Sequence, residues 1–169
     1  LKDAGVKSKL IWVAEDMDPL RKIPASMPGD YEKYVGVSVS PLPDPDGCHK
    51  SYAEHHTDEY FKVLHRFVFE EMERYSMQQE YAKGSFNEYI RKLLEKSEEI
   101  REIQNRYRTN PLKKDWSPWT PVCGGCGKIV TPRVKFMEDK KVTYVCKDYL
   151  FETTIAKGCG HKGEADPLK

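Results

Sequence analysis

The sequence predicts an α/β fold that gives way, near its C-terminal end, to a small cysteine-bearing β-module. Three observations carry this. The apolar run Leu10-Ile11-Trp12-Val13-Ala14 is β-branched and aromatic, reads as a strand, and ends in the acidic phrase Glu15-Asp16-Met17-Asp18. Two phrases of the capping-box type, Ser51-Tyr52-Ala53-Glu54 and Ser85-Phe86-Asn87-Glu88, open helices. Cys123-Gly124-Gly125-Cys126-Gly127-Lys128 is followed by a hairpin pattern that ends at Cys146.

Taken in order, the first element is a buried strand over 7–16. Polar residues directly after such a strand stand at the carboxyl edge of an α/β sheet, where these folds present functional groups. A basic turn follows, Arg21-Lys22-Ile23-Pro24. Residues 28–47 read as a loop, because Pro41, Pro43 and Pro45 block helix and sheet alike. A helix is expected over 52–71, with Tyr60, Phe61, Leu64, Phe67 and Val68 on its apolar face. A short strand over 72–78 precedes a long helix running from the Ser85 cap to about residue 107. Its apolar face carries Ile90, Leu93, Leu94, Ile100 and Ile103, and its charged side is a solvated face. Residues 111–121 form a linker containing Trp116 and Trp119, and 122–163 alternate short strands with glycine-rich turns.

The chain has 169 residues, enough for one ordinary core or two small ones. A third of it is charged and no apolar run approaches the length of a membrane span, so a soluble protein is expected. No stretch resembles a signal peptide. The net charge of +1 argues against a strongly basic, nonspecific nucleic-acid binder, so any RNA contact must come from a local patch. Five cysteines, an odd number without secretory features, fit metal ligation better than a disulfide framework. Both ends, at Leu1 and Lys169, look cut from a longer protein.

The Cys123–Cys126 phrase has the shape of a zinc knuckle. Two cysteines three positions apart, followed by glycine, let both thiolates face one ion, and Gly127 supplies the left-handed turn. The hairpin then runs over 129–137, turns at Glu138-Asp139-Lys140-Lys141 and returns over 142–146, placing Cys146 as third ligand. Cys159 is the first choice for the fourth and His161 its rival, since tetrahedral zinc takes four ligands. The resulting zinc ribbon has little core of its own, so metal binding would supply much of its folding energy. It does not by itself name a function.

Asp44, Cys48, His49 and His55 cluster before and inside the first turns of the 52–71 helix. A carboxylate, a thiolate and two imidazoles make a second zinc set. The competing reading is a solvated loop with a capping Asp and surface histidines. His56 and His65 read as helix-surface residues.

The phrases Glu15-Asp16-Met17-Asp18-Pro19-Leu20-Arg21-Lys22-Ile23-Pro24, Ser51-Tyr52-Ala53-Glu54-His55, Ile90-Arg91-Lys92 with Glu98-Glu99-Ile100-Arg101, and Pro121-Val122-Cys123 with Cys126-Gly127 and Gly158-Cys159-Gly160-His161, in this order and spacing, resemble the middle of class I lysyl-tRNA synthetases of the archaeal type. The resemblance covers nearly the whole chain. It implies part of a Rossmann-type catalytic domain over 1–110, with a metal-binding loop at 41–56. It also implies a zinc-ribbon insertion over 111–169 that contacts the tRNA acceptor stem. It strengthens the Asp44, Cys48, His49, His55 set as a second zinc site. The parent enzyme implied is cytoplasmic. It joins lysine to AMP using ATP, with Mg2+, and passes the lysine to tRNA(Lys). Neither ATP signature of class I synthetases, a His-Ile-Gly-His-like phrase or a Lys-Met-Ser-Lys-Ser-like phrase, occurs here, so the chain is expected to be an enzyme fragment that is inactive alone. No catalytic residue is assigned.

Within that frame, Glu15, Asp16 and Asp18 are candidates to shape the pocket for the lysine ε-ammonium, which needs carboxylates or aromatic faces. They can equally cap the next helix or pair with Arg21 and Lys22. Arg106, Arg108, Lys113 and Lys114, with Arg101 upstream, form a basic stretch beside Trp116 and Trp119 that can follow tRNA phosphates. Its alternative is a solvated helix end with two tryptophans anchoring the ribbon. Two rival functions remain: a stand-alone zinc-ribbon module that binds RNA or protein, and a metal-dependent hydrolase at the Asp44 set. The hydrolase needs an open coordination position that four protein ligands would close.

Overall fold

The computed structural model describes residues 4–68, 71–138 and 141–167. They fall into two compact units, each discontinuous in sequence: Leu1–Asp18 with Val39–Lys83, and Pro19–Ser38 with Gly84–Lys169. The divisions lie at residues 18, 38 and 83, and residue 110 lies inside the second unit.

The first unit is a β-α-β arrangement. Strand β1, Leu10–Ala14, pairs in parallel with β2, Met72–Ser76, from Leu10 opposite Met72 to Ala14 opposite Ser76. Parallel neighbours need a crossover, and helix α1, Tyr52–Leu64, lies within it. Strand β2 passes directly into α2, Met77–Ala82. Ser51 caps α1, its Oγ accepting from Glu54 N at 3.2 Å. The Glu54 carboxylate answers by accepting from Lys50 N at 2.9 Å, one residue ahead of the cap.

Strand β1 is shorter than the expected 7–16 and is not buried. Successive side chains face opposite sides of a sheet. Trp12 packs edge-on against Phe61 of α1 at 4.7 Å between ring centroids. On the other face Ile11 and Val13 remain 51% and 43% exposed. The apolar run marks a strand whose two faces both want cover, and among the described residues only one has it. Helix α1 likewise stops at Leu64 instead of 71, and 65–67 form a turn. Helices in proteins persist where a face is packed. Phe61 is buried and carries the Arg74 guanidinium 3.6 Å over its ring, but Phe67 is 74% exposed.

In the second unit the expected single helix is two: α3, Asn87–Glu95, and α4, Ser97–Asn105. Lys96 between them has φ −107° and ψ 20°, outside the helical range. Glu98 and Glu99 in the first turn after Ser97 favour a fresh N-terminus there, because negative charge complements the amide ends. The N-cap of α3 is Phe86, without a side-chain cap, so the Ser85 phrase is not the helix start.

The ribbon is an antiparallel sheet in the order β3-β4-β7, built from β3, Pro132–Glu138, β4, Lys141–Cys146, and β7, Lys162–Ala165. A small hairpin of β5, Tyr149–Leu150, and β6, Ile155–Ala156, sits between them in the chain. The turn expected at 138–141 includes residues 139–140, which lie outside the described residues. Residues 19–38, read from sequence as turn and loop, belong to this unit. They form a 3-10 helix, Gly29–Tyr34, and bury Leu20, Met27, Tyr31 and Val35. Ile129 N donates to Gly36 O at 2.8 Å. Gly36 has φ 94°, and a Cβ there would lie 2.8 Å from Ala156 Cβ, so only glycine fits this approach.

Candidate metal centres

The ribbon brings Cys123, Cys126, Cys146 and Cys159 together, with their sulfurs all within 4.8 Å of one another. The Cys123–Cys159 and Cys126–Cys146 sulfur pairs are each 3.7 Å apart. A tetrahedral ion with zinc–sulfur bonds of about 2.3 Å requires sulfurs about 3.8 Å apart, so the donor set fits zinc in type and spacing. The knuckle is shaped by its backbone: Gly127 N donates to Cys123 O at 2.8 Å, with Gly127 at φ 71°. The returning end is shaped by Cys146 N donating to His161 O at 2.8 Å. Cys159 N donates to Cys146 Sγ at 3.2 Å.

These sulfurs are electrostatically frustrated without a cation. Burial pushes the Cys123 thiol up, and burial together with the neighbouring cysteines pushes Cys126 up to about 12. Cys146 is the exception. Burial raises it, but the Thr131 hydroxyl, Cys159 N and the adjoining thiols outweigh burial and bring it to about 7. Four thiolates at these separations repel one another, and a divalent ion supplies the compensating charge. His161 stays outside the four-donor cluster. Its carbonyl serves Cys146, and its ring lies 6.0 Å from that of Tyr144.

The second set also assembles. Asp44, Cys48, His49 and His55 offer donor atoms within 4.8 Å of one another. Asp44 is the anchor. Its carboxylate is buried and accepts from Asp46 N at 3.2 Å, Cys48 N at 2.9 Å and His49 N at 2.9 Å, which fold the 44–49 loop around it. Burial alone would raise Asp44, but the amides of His49 and Asp46, with Cys48 and His55, hold it well below the usual carboxylate range. Burial and Asp44 push the Cys48 thiol up. Burial lowers His55, and the Asp44 carboxylate more than reverses this, raising it above its ordinary value. His55 Nδ1 lies 3.1 Å from Asp44 Oδ1, and Cys48 Sγ lies 3.0 Å from His49 Nδ1 and 3.3 Å from His55 Nδ1. A carboxylate, a thiol and two ring nitrogens converging in this way suit a divalent metal.

The remaining sequence-derived candidates are distributed as follows. Asp16 is buried, and its carboxylate accepts from Ser76 Oγ and, at 2.8 Å, from Gln78 N, tying β1 to the start of α2. It also lines a cavity of about 640 Å3 at the carboxyl ends of β1 and β2, with Ser40, Lys50, Glu54, Arg74 and Gln78. Glu15 and Asp18 are exposed, joined by Asp18 N donating to Glu15 O at 3.1 Å. Arg101 is engaged by Glu98 and lies 3.5 Å from Leu112 O. Arg106, Arg108, Lys113 and Lys114 are exposed around the end of α4. Trp116 and Trp119 are half-buried.

Four residues near the two centres escaped sequence reasoning. Thr131 is fully buried with its hydroxyl 3.2 Å from Cys146 Sγ, and the buried Tyr144 phenol accepts from Gly124 N at 2.9 Å. Nothing in the sequence signals either. Asp58 and Glu59 reach the outer ring nitrogens of His49 and His55. Their signal was present, since they stand three and four positions after His55 and so share its helix face.

The chain is 36% identical over 166 residues to the lysine–tRNA ligase of Methanosphaera stadtmanae, covering 98% of this chain and 29% of that protein. It is 39% identical over 166 residues to the lysine–tRNA ligase of Methanocaldococcus jannaschii, covering 98% and 31%. It is also 39% identical over 153 residues to that of Methanococcus maripaludis, covering 89% and 28%. The chain thus spans under a third of the length of these curated relatives. Residues 1–169 match the family described as tRNA synthetases class I (K), and to that family the chain belongs.

Proposed function

We propose that this chain is the portion of a cytoplasmic lysine–tRNA ligase that joins part of the catalytic α/β domain to a tRNA-contacting zinc ribbon. The parent enzyme would activate lysine with ATP and Mg2+ and transfer it to tRNA(Lys). The observation that carries this reading is the match to the class I (K) synthetase family along all of residues 1–169. Because neither ATP signature occurs in the chain, it is inactive alone on this reading.

Zinc is the ion assigned to both centres. When bound it would neutralise the thiolates, tie the separated ribbon segments together and pin the 44–55 loop to the helix, and four protein ligands would leave it no open position for substrate. In the first unit, Glu15, Asp16 and Asp18 serve the lysine ammonium; Asp16 lines the cavity, and Glu15 and Asp18 flank it in sequence. Asp16 acts there by fixing the start of α2, and the exposed Glu15 and Asp18 offer charge to an ammonium. In the second, residues 111–169 contact the acceptor stem. Arg106, Arg108, Lys113 and Lys114 support this, because all four are basic and exposed.

Fluorescence anisotropy tests the assignment, comparing an acceptor-stem minihelix of tRNA(Lys) with its anticodon stem-loop. The chain is expected to prefer the minihelix. Replacing the four basic residues by alanine should weaken binding and flatten its salt dependence. Equal affinity for both RNAs, unchanged by the substitutions, would remove the acceptor-stem reading.

A further inference from the structure

The two imidazoles of the loop centre are oriented alike. Each turns Nδ1 inward, toward Cys48 Sγ and the Asp44 carboxylate, and Nε2 outward. Each outer nitrogen meets a carboxylate. His49 Nε2 lies 3.2 Å from Asp58 Oδ2. His55 Nε2 lies 3.5 Å from Glu59 Oε2 and 3.8 Å from Asp46 Oδ2.

A neutral imidazole carries one N–H and one lone pair. Where Nε2–H donates to a carboxylate, the lone pair stays on Nδ1, the atom a metal would use. The need differs between the two rings. His55 is held by helix α1, in which it sits. His49 lies in the loop ahead of the helix, so its ring depends on side-chain contacts for its direction. Asp58, three positions beyond His55 on the same helical face, is placed to reach across to it.

A purely stabilising role does not account for this pair. The Asp58 side chain is 56% exposed, and ion pairs in that setting contribute little to folding. Carboxylates hydrogen-bonded to ligand histidines act instead on metal affinity, by fixing the tautomer and raising ligand basicity.

We infer that Asp58, with Glu59 in support, is a positioning residue that presents His49 and His55 to a metal through Nδ1. This rests on the reading of Asp44, Cys48, His49 and His55 as a zinc set.

The test is zinc competition against a chromophoric chelator on the full chain with its ribbon zinc loaded, comparing the unmodified chain with Asp58→Asn and Asp58→Ala. Nitrogen–proton correlation spectra of the same samples report the His49 tautomer. The unmodified chain should hold two zinc ions and show His49 as the Nε2–H form. Asp58→Ala should lose loop affinity by about ten- to hundredfold with the ribbon zinc retained. Asp58→Asn should lose less, because its amide oxygen still accepts from Nε2–H. Two zinc ions with unchanged affinity and tautomer in both variants would overturn this inference alone. A chain that binds zinc only at the ribbon would overturn the loop centre and the inference with it.

Discussion

Thr131 is fully buried, and its hydroxyl lies 3.2 Å from Cys146 Sγ. That contact, with Cys159 N, is what draws Cys146 down to about 7 against the pull of burial. Thr131→Val keeps the shape and removes the hydroxyl. Zinc affinity at the ribbon should then fall about tenfold, by chelator competition, with the fold retained. Affinity equal to that of the unmodified chain would assign Thr131 to packing alone. The candidate donors themselves were legible because chemistry restricts them: only a few residue types bind zinc, and Cys123, Cys126 and Cys159 stand beside glycines that permit the necessary turns. Thr131 and Tyr144 were not legible, because threonine and tyrosine serve so many purposes that neither signals a metal site.

At the scale of elements, local chemistry decided where structure begins better than where it ends. Ser51 caps α1 as its phrase predicts, and the start of the helix sets the position of His55 four residues on. Ser51→Ala should cost about 1 kcal/mol of stability in denaturant unfolding. It should also weaken zinc at the loop centre, since the cap and the ligand share one turn. Loss of stability with unaltered loop affinity would separate the two. The Ser85 phrase looks the same, but the N-cap is Phe86 and α3 starts one residue later than the phrase predicts. The end of α1 at Leu64 and the break at Lys96 were hidden for a related reason. Apolar spacing continues through both points, but a helix continues only where something packs against that face. Strand β1 shows the complementary case, with its composition calling for two covered faces and Ile11 and Val13 left exposed on one.

At the scale of the whole molecule, each unit has its own candidate metal centre, but the centres do different structural work. A buried cluster of the ribbon is Cys123, Tyr144 and Cys146, with Cys126 and Ala165 packed against it, so candidate metal donors are part of the packing itself. The first unit buries Phe61 and Leu42, neither of which is a candidate metal donor. Removing zinc with a strong chelator should therefore unfold β3, β4 and β7 while β1, β2 and α1 keep their amide protection. Hydrogen exchange followed by mass spectrometry checks this. Protection of the ribbon strands that survives chelation would mean that metal does not supply their folding energy.

The sequence by itself determined the α/β character, the strand ending in Glu15-Asp16-Met17-Asp18, both donor sets and the resemblance to class I lysyl-tRNA synthetases. These are properties of residue type and short spacing, which act before the chain is folded. Tertiary structure decided that Cys159 joins the four sulfurs and His161 does not, that residues 19–38 pack with the ribbon, and that Asp58 reaches His49. Each of these depends on contacts between segments separated in the chain, in which the winning arrangement is the one that buries apolar surface and pairs polar atoms together. No local spacing rule carries that information.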